Sequence, residues 1–277
     1  MAYHLLVHSL RDVVSPRDGE NQGFAECIQA AIQGNLPLAT FQDVGARAQA
    51  LPLSGSSLAA AVAENFKRDL NPFGLRLQAA GTVAELIELH TRFNQRSNLQ
   101  IRTTLKKGPG GRLSCEKRHV PEGLQDIDTC RQVHVCAMEH LLQKIHPRSN
   151  AEIINSPGKA PERLLKVSDV AVYWGLGHAL INDYLQILEE DPSQKLNTVA
   201  LRLRWMPRKI QRHLAKIGVS AENLKRTVMI NHATRLLASR CSLTEIAHAS
   251  GYADQAHMCR AFVHSCGLPP SQLRGFR

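Results

Sequence analysis

The sequence predicts a mixed α+β region over residues 1–190, followed by an all-helical region over residues 194–277. Before residue 190, helical spacing alternates with short extended runs. From Lys195 onward, every segment has helical spacing. Between the two regions an acidic run ends at Asp191 and is followed by Pro192 and Ser193, a pattern that predicts a helix end and a short linker. The length of 277 residues also suits two domains.

The basic residues are concentrated in the second region. The whole chain carries a net charge of +10. Residues 194–277 hold 14 Lys and Arg but only three acids, a net +11, so the preceding residues sum to −1. This asymmetry indicates a partner that is a polyanion, such as nucleic acid, with a solvated basic face as the alternative.

Several elements are predicted before residue 190. One is a helix over residues 81–96, in which Thr82 can cap and apolar residues recur at spacings of three and four, at Val83, Leu86, Leu89 and Phe93. The others are a β-hairpin formed by residues 99–105 and 113–119 around a Gly/Pro turn, a helix over residues 130–145, and short strands at residues 151–156 and 171–175.

The clearest motif begins at Ser242 and reads SLTEIAHASGYADQAHMCRAF. Ser242 and Glu245 form a capping box, which predicts the start of a helix. Gly251 ends this helix because glycine adopts positive φ at little cost, and Asp254 caps a second helix. The inward positions of the second helix are Met258 and Phe262. This is the helix-turn-helix layout, whose second helix enters the major groove of DNA.

An earlier segment repeats this layout. The apolar positions of its first helix are Leu196, Val199, Ala200 and Leu203, and those of its second helix, which starts near Pro207, are Ile210 and Leu214. Residues 220–239 between the two copies predict an amphipathic linker helix of about 20 residues, with Leu224, Val228, Ala233 and Leu236 on one side. Such a helix is ~30 Å long, close to the ~34 Å of one DNA turn. The prediction is therefore two helix-turn-helix units, joined by a linker helix, that enter successive segments of the major groove.

Three segments together resemble the AraC/XylS family of transcription regulators: ATRLLAS in the linker helix, the motif from Ser242, and the tail CGLPPSQLR. The resemblance implies base or phosphate contacts from Arg208, Lys209, Gln211 and Arg212 in the first unit, and from Gln255, His257 and Arg260 in the second. Asp254 is assigned to capping. Arg204 stands where the family has a turn glycine, so we expect that turn to be built in another way. Val263 and His264 stand where the family commonly has basic residues, which leaves the second recognition helix less cationic, and Cys266 replaces an aromatic residue.

The order of parts in residues 60–190 is similar to the arabinose-binding-type effector domain of one branch of that family. The matching parts are FGLRL, GTVAELIELHTRF, the hairpin, AMEHLLQKI and VAVYWGLGHALI, whereas residues 1–50 match poorly. The resemblance implies that residues 1–190 sense a small molecule, mediate dimerisation, or both. The effector-binding residues remain unassigned.

No cofactor, metal or catalytic site is predicted. At roughly 100° per residue, Cys130 and His134 face almost opposite to Cys136 and His140, so the four cannot share one metal ion. The loop KKGPGGR lacks the GK[ST] end of a phosphate loop, and the glycines of YWGLG lack a dinucleotide fingerprint. Seven cysteines without a CxxC pair, and no apolar run of ~18 residues, predict a cytoplasmic protein without a membrane span.

These observations predict a cytoplasmic, sequence-specific DNA-binding regulator and not an enzyme. The family resemblance implies an activator that binds double-stranded promoter DNA, acts on RNA polymerase, responds to a small-molecule effector and forms a homodimer. One alternative is an interaction protein with a decayed DNA-binding tail that acts by heterodimerisation, as Arg204 and Val263 would suggest. The other is an enzyme with an unrecognised N-terminal active site.

Overall fold

The computed structural model describes residues 2–15, 20–96, 101–108, 113–145, 164–176 and 179–274, most of which are helical. The helices before Asp191 are α1 (His4–Val14), α2 (Glu20–Ile32), α3 (Leu38–Gln49), α4 (Gly55–Phe66), α5 (Pro72–Gln78), α6 (Val83–Arg96), α7 (Asp128–Ile145), α8 (Val167–Tyr173) and α9 (Ala179–Glu190). Those that follow are α10 (Leu196–Arg202), α11 (Pro207–Lys216), α12 (Ala221–Leu236), α13 (Leu243–Ala249), α14 (Gln255–Cys266) and α15 (Pro270–Leu273). Within the described ranges, no helix has the length and apolar content needed to cross a bilayer.

The described strands form two antiparallel pairs. Strand β1 (Ala2–Tyr3) pairs with β2 (Asn35–Leu36), and β3 (Arg102–Lys107) pairs with β4 (Leu113–His119) with a register shift after Thr104. The predicted hairpin is therefore confirmed, as are the helices predicted over residues 81–96 and 130–145. The first region is nevertheless mainly helical rather than evenly mixed.

The strand predicted at residues 171–175 is wrong. Those residues form the end of α8 and the turn that follows it. The Asp169 carboxylate accepts a hydrogen bond from the backbone N–H of Lys166, and this favours a helix start. Val167, Val170 and Ala171 share the buried face of that helix, so packing outweighs the extended preference of the neighbouring Val172 and Tyr173. The other predicted strand, residues 151–156, lies outside the described residues.

The apolar core crosses the boundary near residue 190. One buried cluster joins α1, α3, α4, α6 and α7 to Met229 of α12 and Phe262 of α14. A second cluster joins Phe24 and Ile28 of α2 to α8, α9 and Val228 of α12. Residues 189–193 therefore mark a change in charge, while the side chains on either side of them pack together.

Helix α12 is shorter and more deeply buried than expected. It has 16 residues, starts after the cap of Ser220, and is therefore ~24 Å long rather than ~30 Å. The predicted single apolar side is also incorrect, because Met229 and Ile230 are buried as well as Leu224 and Val228. Leu224 and Val228 pack in the cluster that contains α2, whereas Met229 and Ile230 pack in the cluster that contains Phe262 of α14.

Candidate nucleic-acid interface

Helices α10 and α11 form the first helical pair, and the turn between them is fixed by backbone hydrogen bonds. Arg204 N donates to Leu201 O at 3.1 Å, and Trp205 N donates to Ala200 O at 2.9 Å. Pro207 begins α11, where the missing N–H of proline is tolerated. The inward side chains of α11 are those predicted, Ile210 and Leu214, at 1% and 2% exposure.

Helices α13 and α14 form the second helical pair, whose turn has the same hydrogen bonds. Gly251 N donates to His248 O at 3.0 Å, and Tyr252 N donates to Ala247 O at 2.9 Å. Each predicted boundary residue is confirmed: Ser242 and Glu245 form the capping box, Gly251 has positive φ, and the Asp254 carboxylate accepts from His257 N at 2.6 Å. Met258 and Phe262 are fully buried.

Arg204 occupies the left-handed conformation that glycine usually supplies. Its φ is 55°, and it is the one non-glycine with positive φ within the described ranges; Gly251 at the equivalent position has φ of 80°. The expectation that the first turn is built in another way is therefore wrong. The turn has the same two hydrogen bonds, although the connection to the second helix is one residue longer after Gly251, and an arginine backbone adopts it at a cost of roughly 1–2 kcal/mol.

The positions of α11 and α14 can be aligned by their buried residues. When Ile210 is matched with Met258 and Leu214 with Phe262, Arg212 corresponds to Arg260. The remaining correspondences are Lys209 with His257, Gln211 with Cys259, and Arg208 with Ala256. The first helix therefore presents cations at positions where the second has an imidazole or a small side chain.

All seven predicted DNA-binding side chains are exposed on α11 or α14: Arg208, Lys209, Gln211, Arg212, Gln255, His257 and Arg260. Lys209 is also oriented, because its Nζ lies 3.7 Å from the centroid of the Trp205 ring. This cation–π contact holds the ammonium group beside the turn. The sequence analysis did not single out Trp205, although an aromatic residue four positions before a lysine on a helix can indicate a cation–π contact.

A groove of about 710 Å³ runs between α2, α12 and α14. His257, Arg260 and His264 of α14 line it together with Arg226 of α12. Its opposite wall includes Gln29 and Gln33 of α2. Sequence reasoning missed Arg226 and the glutamines because they come from helices far apart in the chain.

The C-terminal end of α14 is joined to the N-terminal helices. The Ser265 hydroxyl donates to Ala31 O, and Gly34 N donates to Ser265 O at 2.7 Å. The Asn71 amide donates to Ser265 O at 3.3 Å and to Ala30 O at 2.9 Å. A Cβ atom at Gly34 would lie 2.1 Å from Asn71 Nδ2, so the close approach requires glycine. We call these four residues, Ala31, Gly34, Asn71 and Ser265, the Ser265 joint.

Cys266 follows this joint and is fully buried, where it fills the position of an aromatic residue in the family pattern. Burial raises the pKa of its thiol to about 12. The group is therefore a neutral packing residue at physiological pH and not a reactive thiolate.

The helical spacing predicts that Cys130 and His134 of α7 face away from Cys136 and His140. Cys130 donates weakly to Phe41 O, His134 contacts His90, and His140 stacks on Phe66. Within the described part of the chain, no group of three or more His, Cys, Asp or Glu is placed to hold a metal ion.

Comparison with known proteins matches residues 199–275 to a family of helix-turn-helix domains, a span that begins within α10 and includes α11, α12, α13 and α14. Over 91 residues the chain is 32% identical to the urease operon transcriptional activator of Escherichia coli. The C-terminal region is an AraC-type helix-turn-helix domain. The resemblance seen in the sequence is confirmed for this AraC-type domain.

The similarity to the urease activator covers 32% of this chain and 31% of that protein, so it is confined to about a third of each. Among solved structures, the transcriptional regulator CdpR from Pseudomonas aeruginosa aligns over 93% of this chain and 98% of its own. The identity is 15% and the TM-score is 0.32, too low to establish a shared fold.

Proposed function

We propose that this protein is a sequence-specific DNA-binding transcription regulator in which both helical pairs are helix-turn-helix units. The observation that carries the proposal is the repeated turn, with its two matching hydrogen bonds and its matching buried pairs in α11 and α14. In each unit the second helix presents an arginine, Arg212 or Arg260, on the side opposite its buried residues. A helix that is apolar inside and basic outside suits insertion into the major groove.

The individual roles follow from side-chain chemistry. Arg208, Arg212 and Arg260 can each donate two hydrogen bonds to a guanine edge. The amides of Gln211 and Gln255 suit adenine, which offers a donor and an acceptor. Lys209, held against Trp205, and His257 suit phosphate oxygens beside the groove.

We also propose that residues 194–277 are the DNA-binding domain and that residues 1–190 regulate it through a small molecule, through homodimerisation, or both. Support for activation comes from the urease operon relative, which is described as a transcriptional activator. An activator of this kind would bind double-stranded promoter DNA in the cytoplasm and contact RNA polymerase.

The test uses the full chain, because the buried clusters include residues from both sides of Pro192. The protein is mixed with a random-sequence duplex pool at 50 and at 200 mM salt, and the bound DNA is sequenced. We expect an enriched motif, and an affinity that falls by about 10³-fold between the two salts if six or more phosphates are contacted. Salt-sensitive binding without an enriched motif would overturn sequence specificity.

A second candidate function is an interaction protein whose DNA-binding tail has decayed. The strained turn at Arg204 and the weaker positive charge of α14 favour it. Absence of any binding to the pool at 50 mM salt would support this candidate and contradict the first.

A further inference from the structure

The N-terminal helices enclose a cavity that the DNA-binding surface does not use. It has a volume of about 80 Å³ and lies among α1, α3, α4, α5, α6 and α7, beside β3 and β4. Most of its wall is apolar, with Phe41, Phe66, Phe73 and Phe93 among the lining residues. Its polar part includes Asn94, Thr103 and two histidines.

The histidines of this cavity are uncharged at neutral pH. His90 and His134 face each other with their Nε2 atoms 3.2 Å apart. Burial lowers the pKa of His90 to about 3 and that of His134 to about 4. Two neutral imidazoles at this distance share one proton as donor and acceptor, so the pair offers no net charge to a ligand.

Among the lining residues that the structure describes, Arg118 alone is charged at neutral pH. Its positive charge is balanced by the carboxylate of Asp126. Its Nε and Nη2 atoms donate to the two carboxylate oxygens of Asp126, at 2.9 and 2.8 Å. Its Nη1 atom donates to Thr103 Oγ1 at 3.1 Å. Because the Thr103 hydroxyl accepts this bond and lines the cavity, its own proton can be donated to a ligand there.

We propose that this cavity binds a small uncharged molecule with an apolar body and one hydrogen-bonding oxygen, such as a short-chain alcohol or ketone. An anion would find the guanidinium of Arg118 already paired, and a cation would find no carboxylate facing it. An ion buried without a partner is costly, so the lining selects neutral ligands. An apolar cavity of about 150 Å³ holds benzene, so the present cavity of about 80 Å³ suits a ligand of roughly three to five non-hydrogen atoms.

The cavity is connected to the Ser265 joint. Phe73 of α5 lines the cavity, and its backbone N–H donates to Asn71 Oδ1 at 3.0 Å. Asn71 in turn donates to Ser265 O. Tyr3, another lining residue, donates to Asp69 at 2.8 Å, and Asp69 accepts from Asn71 N at 2.9 Å. A ligand that shifts Tyr3 or Phe73 would therefore act on the end of α14. The proposal that such a ligand acts as an effector of DNA binding rests on the proposed function.

The test is saturation-transfer NMR on the full chain with millimolar 1-propanol, propionate or propylammonium. Ala137 lines the cavity, and Ala137→Leu would fill part of it. The matched control is Ala59→Leu, at an exposed position on α4. Ala137→Val is a smaller change that serves if the leucine variant does not fold.

We expect transfer to 1-propanol in the native protein and in Ala59→Leu, its loss in the Ala137 variant, and no transfer to either ion. Equal transfer in the Ala137 and Ala59 variants, or equal transfer to propionate, would overturn the site. DNA affinity is measured in the same samples with and without 1-propanol. An unchanged affinity would overturn the effector role alone, and absence of DNA binding would count against the proposed function without affecting the cavity result.

Discussion

The first and second helical pairs share the two hydrogen bonds of their turns but differ in charge and in how they are attached to the N-terminal helices, the first through an apolar cluster and the second also through side-chain hydrogen bonds. The first pair places Arg204 in the turn and presents Arg208, Lys209 and Arg212 on its second helix. The second pair has Gly251 in the turn and a less basic helix, whose C-terminal end is fixed to the N-terminal helices through the Ser265 joint. The comparison suggests that the first unit contributes more of the attraction to DNA, while the second unit transmits the state of the N-terminal region.

The largest expected effect is that of removing the glycine of the second turn. Gly251→Ala places a side chain on a backbone with φ of 80°, with its Cβ 2.8 Å from the backbone carbonyl of Pro192. The contacted atoms of Pro192 belong to the backbone and cannot easily move. We therefore expect the free energy of unfolding, measured by urea titration, to fall by roughly 2–4 kcal/mol. The control is Gly55→Ala, where no atom lies within 4 Å of the new Cβ. Equal losses in the two variants would contradict the tight turn.

The substitutions Arg212→Ala and Arg260→Ala compare how the first and the second unit read DNA bases. Each substitution should reduce the discrimination between the selected site and a random duplex by about 1–3 kcal/mol, since a bidentate contact with a base is lost. Competition binding at constant salt measures this difference. A loss of affinity that is equal for both duplexes would instead assign the arginine to a phosphate contact.

The Ser265 joint is tested by Ser265→Ala. Loss of the hydroxyl leaves Ala31 O without this donor in a buried position, which should lower the free energy of unfolding by about 1–3 kcal/mol. Ser271→Ala, at an exposed position beyond α14, should change it by less than about 0.5 kcal/mol. If the two variants unfold at the same urea concentration, the joint does not hold the second unit in place.

The smallest expected effect, and the one with the opposite sign, is that of Arg204→Gly. Glycine relieves the left-handed strain but increases the entropy of the unfolded chain, so we expect a net stabilisation of about 0.5–1 kcal/mol. Arg212→Gly, in the middle of α11, should destabilise by about 1 kcal/mol. Urea titration of both variants separates the turn effect from a general effect of glycine. Destabilisation by Arg204→Gly would mean that its φ of 55° carries no strain.

Local features of the AraC-type domain could be predicted from the sequence because their physics is local. The capping box of Ser242, the turn at Gly251 and the cap of Asp254 each depend on residues a few positions apart, and all three are present. The burial of Met258 and Phe262 follows in the same way from helical spacing.

Features that depend on distant residues could not be predicted. The Ser265 joint brings together Ala31, Gly34, Asn71 and Ser265, which no local pattern connects. Burial of α12 on more than one side depends on its packing in two separate apolar clusters. The stretch around Val172 has the composition of a strand but folds as a helix. In each case tertiary contacts decide the outcome over local preference.

The most direct test of the central claim, that both helical pairs read DNA, is hydroxyl-radical footprinting of the full chain on its selected site. The account predicts two protected segments about one helical turn apart, on one face of the duplex. Arg212→Ala should weaken protection in one segment and Arg260→Ala in the other. A single protected segment, weakened by Arg212→Ala and unaffected by Arg260→Ala, would show that only the first pair reads DNA and would contradict the account.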